Sequence, residues 1–352
     1  LEFIWSLGFG AWNLFNAVYT AKGDKSIERS VFGMRKFKYL YGPVPSRRLG
    51  RSLGIDLVPH KICTYNCIYC QIGETTNKTL VRKEYVPVEE VLEEVKRFLR
   101  EEMVPIEHLS FSGSGEPTLH SKIGLIIKEI RKITSIPVAV ITNGSLLYRE
   151  EVRQDLLEAD VILPSLDAVL PETFLRVNRP LEGFPIEKVI EGLEKFRKVY
   201  KGKIWLEILF CKGINDSLDE LYKMKEVISR IKPDQIHLNT VIRPPSEEWA
   251  VALDQKEMET IRKFFGDNAI VISEFNRHTS SFQRGNIKEQ ILRILKRRPL
   301  SLSDLAKGME IREEDLSNYI GSLLKEKRIK VRHFENKVFY EISERDRDPL
   351  PL

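Results

Sequence analysis

From residue 52 onward, short apolar runs alternate with amphipathic stretches. Residues 52–58, 106–111, 138–142, 161–166, 204–210 and 235–241 each read as a strand. The run at 269–275 reads as a last one. Between them, apolar residues recur at helical spacing, as in Val88, Val91, Leu92, Val95, Phe98 and Leu99. This predicts helices over 88–102, 123–133, 149–158, 186–200, 218–231 and 256–265. Asn215-Asp216-Ser217 supplies a capping start for the fifth. Largely apolar strands alternating with amphipathic helices predict a parallel sheet covered by helices. Six such units predict an α/β fold, an open, partial (β/α)6 barrel of the TIM type. Function then belongs at the carboxyl ends of the strands.

The pattern changes near the carboxyl end. Residues 276–286 are polar and contain Gly285, as a linker would. Helices follow over 287–297, from Ser301-Leu302-Ser303-Asp304 to Gly308, and over 313–327. Alternating strands at 329–333 and 337–342 form a hairpin. Three helices and a hairpin are read as a winged helix. Residues 287–342 carry 13 Lys and Arg against 9 Asp and Glu, so most of the chain's net charge of +5 sits there. That suits a nucleic-acid partner. Yet Glu313, Glu314 and Asp315 open the third helix, where a DNA-reading helix would meet phosphate. Contact with a protein, packing on the chain's own barrel or dimer formation stays open as the alternative.

The chemistry is concentrated in Cys63-Thr64-Tyr65-Asn66-Cys67-Ile68-Tyr69-Cys70, placed directly after the first strand. The chain has 4 cysteines, and 3 of them fall in this loop. Three thiolates in one loop make a soft metal site, suited to iron–sulfur or zinc. His60 just upstream offers the fourth ligand of a closed zinc site as an alternative. CxxxCxxC with an aromatic residue before the last cysteine resembles the signature of the radical S-adenosylmethionine (SAM) enzymes. The resemblance implies that Cys63, Cys67 and Cys70 hold a [4Fe-4S] cluster whose open iron chelates SAM. It also implies an external electron donor of the ferredoxin or flavodoxin type.

Other turns fit the same resemblance. Ser112-Gly113-Ser114-Gly115-Glu116-Pro117 follows the second strand and resembles the family's glycine–glutamate–proline turn. That implies SAM binding by Gly115, Glu116 and Pro117, with Glu116 on the SAM ammonium. Ser114 stands where the usual pattern has a glycine. Asn143 in Thr142-Asn143-Gly144-Ser145 ends the third strand. Ser165 and Asp167 end the fourth and are assigned to the SAM ribose, with Tyr69 against the adenine. Glu207 interrupts an apolar strand, His237 and Asn239 share a face of the next, and Arg243 follows it. A buried carboxylate needs a partner or a function, so Glu207 is a candidate cofactor contact. Cys211 is read as a buried thiol. Arg47, Arg48 and Arg51 in a Pro/Gly-punctuated loop are read as a solvated loop or an anion grip.

Composition changes little in this picture. The 352 residues are 42% hydrophobic and 30% charged, an ordinary soluble balance. Scarce cysteine suits a reducing, cytoplasmic compartment and argues against a disulfide framework. The stretch 3–20 is uncharged and about as long as a membrane span, but Gly8, Gly10, Asn13 and Asn16 interrupt it. Residues 1–33 are therefore read as an extension upstream of the fold, with a membrane anchor as the alternative. The barrel is expected over 34–285, the winged helix over 286–343 and a tail over 344–352. The resemblance extends to a loosely defined subgroup sharing the Pro-Ser-Arg-Arg-Leu-Gly segment, and within the superfamily the chain resembles relatives of the wybutosine tRNA enzyme. That enzyme has further cluster cysteines, which this chain lacks. Three readings follow: a radical enzyme on tRNA, one on a protein or small metabolite, and an iron–sulfur regulator that binds DNA.

Overall fold

A computed structural model describes residues 37–101, 105–272, 287–309, 311–335, 337–343 and 346. The uncharged amino-terminal stretch, the linker at 276–286 and nearly all of the tail lie outside them. From Tyr39 onward the chain packs as one body.

Its main sheet has eight strands among the described residues, in the order β1-β2-β5-β6-β7-β8-β9-β10. They are β1 (Leu40–Ser46), β2 (Gly50–Ile55), β5 (His108–Phe111), β6 (Val138–Thr142), β7 (Val161–Pro164), β8 (Lys203–Phe210), β9 (Gln235–Thr240) and β10 (Ala269–Val271), while β3 (Ile62–Cys63) and β4 (Asn77–Lys78) form a separate parallel pair. The seven strands from β2 to β10 are parallel, and β1 is antiparallel to β2. Parallel strands that are neighbours both in sequence and in space need crossovers of one hand. Right-handed crossovers then lay every helix on the same face. This is a mixed α/β fold, consistent with the partial barrel expected.

The two faces differ as that winding requires. Ile204, Leu206, Ile208 and Phe210 of β8 are fully buried. The alternate positions Trp205, Glu207 and Leu209 point to the opposite, concave face. Register places Glu207 beside His237, and Leu209 beside Asn239. Leu49, in the turn after β1, is buried with Ala139, Val161 and Leu163 on this inner face. The β1–β2 turn thus plugs the amino-terminal end of the inner face.

Segment 41–51, read above as a loop, is instead a hairpin. Its prolines are tolerated because β1 is an edge strand, and a register shift between Tyr41 and Val44 absorbs the irregularity. A short helix at Pro171–Val177 also went unread. The helix expected over 149–158 is shorter, at Glu150–Asp155.

The helices before the carboxyl-terminal segment are α1 (Val88–Glu101), α2 (Ile123–Ile133), α3 (Glu150–Asp155), α4 (Pro171–Val177), α5 (Ile186–Val199), α6 (Leu218–Ile231) and α7 (Gln255–Phe265). That segment holds helices α8 (Ile287–Leu295), α9 (Leu302–Met309) and α10 (Glu313–Lys325). It adds a three-stranded antiparallel sheet, β11 (Leu300–Ser301), β13 (Lys337–Ile342) and β12 (Ile329–Phe334). Ser301 Oγ accepts from the Asp304 N–H at 3.1 Å, the cap expected from its sequence. The segment does not close a core by itself. Tyr41 and Val44 of β1 are buried among Ile291, Leu295, Leu305 and Met309.

Candidate functional site

Every strand end named from the sequence meets at one place. The cysteine loop follows β2 and is held from three sides. Gly115 comes so close that a Cβ there would lie 1.9 Å from the Ile62 carbonyl oxygen. The Glu116 N–H donates to that same oxygen at 3.2 Å. On a second side, the N–H groups of Asn66 and Ile68 donate to the carbonyls of Asn178 and Val177 at 3.0 Å each. On the third, Asn143 Nδ2 donates to Thr64 Oγ1 at 2.7 Å.

Each cysteine sulfur faces a donor. Asn143 Nδ2 lies 3.6 Å from Cys63 Sγ, and Asn178 Nδ2 lies 3.5 Å from Cys67 Sγ. Lys61 Nζ, buried with its side chain, donates to Cys70 Sγ at 3.2 Å. Burial pushes the Cys63 thiol up to about 11, and the Glu116 charge adds to this. Burial, then Asp167, holds Cys67 well above the ordinary thiol range. Such thiols ionise when a cation is brought to them, as iron does. An all-thiolate set backed by N–H donors fits an iron–sulfur cube.

Among the described residues no three His, Cys, Asp or Glu side chains converge as a single ion needs. A single tetrahedral ion held with His60 would need that convergence. A cube takes one thiolate at each of three corners and makes no such demand.

Glu116 is buried and fully engaged. Its Oε1 accepts from the Thr118 N–H at 3.0 Å, from Thr118 Oγ1 at 2.6 Å and from Thr142 Oγ1 at 2.6 Å. Its Oε2 accepts from the Asn143 N–H at 2.8 Å. Burial raises its pKa and the four donors pull it back. Pro117 opens the short 3-10 turn that Glu116 caps. Gly113 takes a φ of +143°, and a Cβ there would meet the Asp56 carboxylate at 2.5 Å. Ser114, the departure from the usual glycine, has a partner: its Oγ donates to Asp56 Oδ2 at 2.6 Å.

Asp167 lies across the loop from Glu116. It accepts from the Tyr69 hydroxyl, from Asn178 Nδ2 at 2.8 Å and from the Leu209 N–H at 2.9 Å. Burial raises it to about 6. Ser165 donates its N–H to the Thr142 carbonyl at 3.0 Å and bridges to Glu207. Glu207 forms an ion pair with Arg48 and accepts from Asn239 Nδ2 at 3.0 Å. Burial lowers His237 to about 4, so it is neutral near pH 7. Cys211 is buried with Ile68, Val241 and Ala250, as a core thiol. Sequence reasoning missed Lys61, Asn178 and Arg298. Asn178 follows a helix, but nothing local marks it for a cysteine 111 residues away.

Comparison with known proteins agrees with this geometry. The family model for the radical SAM superfamily matches residues 57–224. A protein named GTPase Obg from Brachyspira hyodysenteriae is 39% identical over 312 residues. The match covers 88% of this chain but only 46% of that protein, so the chain spans less than half of that relative's length. A UPF0026 protein of Methanocaldococcus jannaschii is 33% identical over 314 residues, covering 88% of this chain and 97% of that one. A UPF0026 protein of Helicobacter pylori is 32% identical over 306 residues, covering 86% and 96%. Enzymes of the radical SAM superfamily work with SAM and a [4Fe-4S] cluster. The cysteine loop, the turns around it and the match over 88% of the chain together place it in the UPF0026 family of the radical SAM superfamily.

Proposed function

We propose that Cys63, Cys67 and Cys70 hold the [4Fe-4S] cluster and that the protein uses it to abstract hydrogen from a substrate. When bound, the cluster supplies the electron that splits SAM into methionine and a 5'-deoxyadenosyl radical. The observation that carries this reading is the set of three sulfurs, each faced by its own N–H donor: Asn143, Asn178 and Lys61. These donors stabilise thiolate charge and fix the loop. Glu116 holds the Asn143 turn in place, and Asp167 holds Tyr69 and Asn178. The inner face between them, with Ser165 and Glu207, is left for SAM and the substrate.

Residues 34–285 are read as the radical SAM part and 286–343 as a winged helix. The tRNA reading rests on the positive charge of that segment. Its burial of Tyr41 and Val44 favours a second task, as a wall of the enzyme itself. Reduction is assigned to a ferredoxin- or flavodoxin-type donor in the cytoplasm.

The test is anaerobic reconstitution. About four irons per chain are expected. With SAM and dithionite, 5'-deoxyadenosine should form slowly. Cys63→Ala, Cys67→Ala or Cys70→Ala should abolish both. One zinc per chain and no iron after anaerobic purification would refute the assignment.

A further inference from the structure

The two edges of the open sheet face each other across a group of arginines. Arg47 and Arg48 come from the β1–β2 turn. Arg47 Nη1 donates to the carbonyl of Ile272, the residue after β10, at 3.4 Å. Arg48 reaches the inner face and pairs with Glu207. Arg243 follows β9 and donates to Gln71 Oε1 at 3.3 Å, one residue past Cys70. Arg298 enters from the carboxyl-terminal segment and donates to the Pro45 carbonyl at 3.2 Å. Arg51, expected with the first two, stays at the start of β2, where its N–H donates to Glu107 Oε1.

Like charges gathered in this way need a reason. Burial, then Arg48, lowers Arg47 to about 10. Burial, then Arg298 and Arg47, lowers Arg243 well below its ordinary value. Burial also lowers Arg298. Glu207 and Asp304 are the carboxylates that act most strongly on Arg47, Arg243 and Arg298. Four guanidiniums against two carboxylates leave an excess of two positive charges. Arg48 Nε and Arg243 Nε are buried without a hydrogen-bond partner. Two idle donors and two spare charges describe the complement of a dianion.

We propose that Arg47, Arg48, Arg243 and Arg298 form the binding site for a phosphate group on the substrate. This deepens the radical SAM reading and rests on it. A phosphate monoester carries about −1.5 to −2 charge at neutral pH, which matches the excess; a carboxylate would meet half of it. Guanidinium forks suit its oxygens. The Arg243–Gln71 bond ties the site to the cysteine loop, so a substrate held there has its far end turned toward the radical. Arg298 makes the carboxyl-terminal segment part of the substrate site.

The probe is inorganic pyrophosphate, titrated calorimetrically into the reconstituted full chain under anaerobic conditions. Saturable binding that weakens with added salt is expected. Arg243→Gln and Arg298→Gln should each weaken it about tenfold or more, as loss of a charge-assisted bond implies. Arg243→Lys should fall between. Arg312→Gln, which removes an exposed arginine paired with Asp315, should change nothing. Equal affinity in wild type and both glutamine variants would overturn the site. So would succinate binding as tightly as pyrophosphate at matched ionic strength, since that would make the ligand a carboxylate. Iron content and 5'-deoxyadenosine release are measured on the same wild-type sample. A sample that holds iron and cleaves SAM but ignores pyrophosphate sinks the anion site alone. A sample that binds pyrophosphate but holds no iron sinks the radical reading instead.

Discussion

Glu116→Gln separates two roles that one carboxylate could have. The sequence resemblance assigns Glu116 to the SAM ammonium. The structure commits it to four donors within its own chain, three on Oε1 and one on Oε2. A glutamine has one acceptor oxygen and one NH2 group. If its oxygen serves Thr118 and Thr142, its NH2 faces the Asn143 N–H, donor against donor. The charge-assisted bond to Asn143 is then lost at a site that is 2% exposed. That costs about 1.5–3 kcal/mol. In a domain of this size the melting temperature should fall by roughly 3–10 °C. The loss is felt at the cysteine loop, because Asn143 also touches Thr64 and Cys63. The assay is thermal unfolding of the reconstituted chain, with SAM affinity by calorimetry on the same protein. A lower melting temperature with weaker SAM binding is expected. An unchanged melting temperature with SAM binding still weakened would refute the reasoning, since the carboxylate would then be free for the ligand.

Asn178→Ala removes the donor to Cys67 and should make the cluster harder to reduce, because N–H groups on sulfur favour the more negative state. A bond worth about 1 kcal/mol corresponds to on the order of 40 mV for one electron, and an unchanged potential by anaerobic titration would refute it. His237 has a lower pKa folded, about 4, than unfolded, about 6.5, so the native state binds fewer protons between those values. Its contribution is present above pH 6.5 and is lost as pH falls toward 4, by on the order of 3 kcal/mol. His237→Asn should flatten that acid limb in denaturation curves, and a variant with the wild-type limb would refute the assignment.

How much of this was legible in advance depended on distance along the chain. The helices at Ile123–Ile133 and Leu218–Ile231 have the bounds their apolar periodicity predicts. In the second, Ser217 accepts from the Glu220 N–H as its cap, a contact made within one turn. β1 was unreadable, because its prolines and glycine look like a loop and only pairing with β2 makes it a strand. Glu207 stood out as a carboxylate in an apolar strand. Its partner Arg48 lies 159 residues away, and no local pattern joins them. Arg298 is 253 residues from the carbonyl it reaches. Spacing located the cysteine loop and the strand ends. The donors on its sulfurs and the arginine group exist only after folding.

The carboxyl-terminal segment also reaches the Gly115-Glu116 turn, through Asp56. This carboxylate is 1% exposed at the end of β2. It accepts from the Ser114 N–H at 3.1 Å and from Ser114 Oγ at 2.6 Å, just before Gly115 and Glu116. Its charge is met at 3.0 Å by Arg297, which follows α8 and is 15% exposed. Tyr41 makes a parallel link, buried in the carboxyl-terminal core with its hydroxyl 2.6 Å from Ser112 Oγ. A regulator's appended DNA-binding module would not need to share a core with the main sheet or balance a charge beneath the Gly115-Glu116 turn. Arg297→Gln leaves Asp56 buried without its cation. Removing one partner of a buried pair costs about 3–5 kcal/mol, and the partial exposure of Arg297 lowers that to roughly 2–4. Asp56→Asn in the same chain removes the orphaned charge, keeps an acceptor for Ser114 and should restore much of the loss. A double-mutant cycle on melting temperature and SAM affinity reads the coupling. Strong coupling in both is expected. Additive effects, or an Arg297→Gln protein as stable as wild type, would show that the segment only rests on the sheet and does not support the Gly115-Glu116 turn.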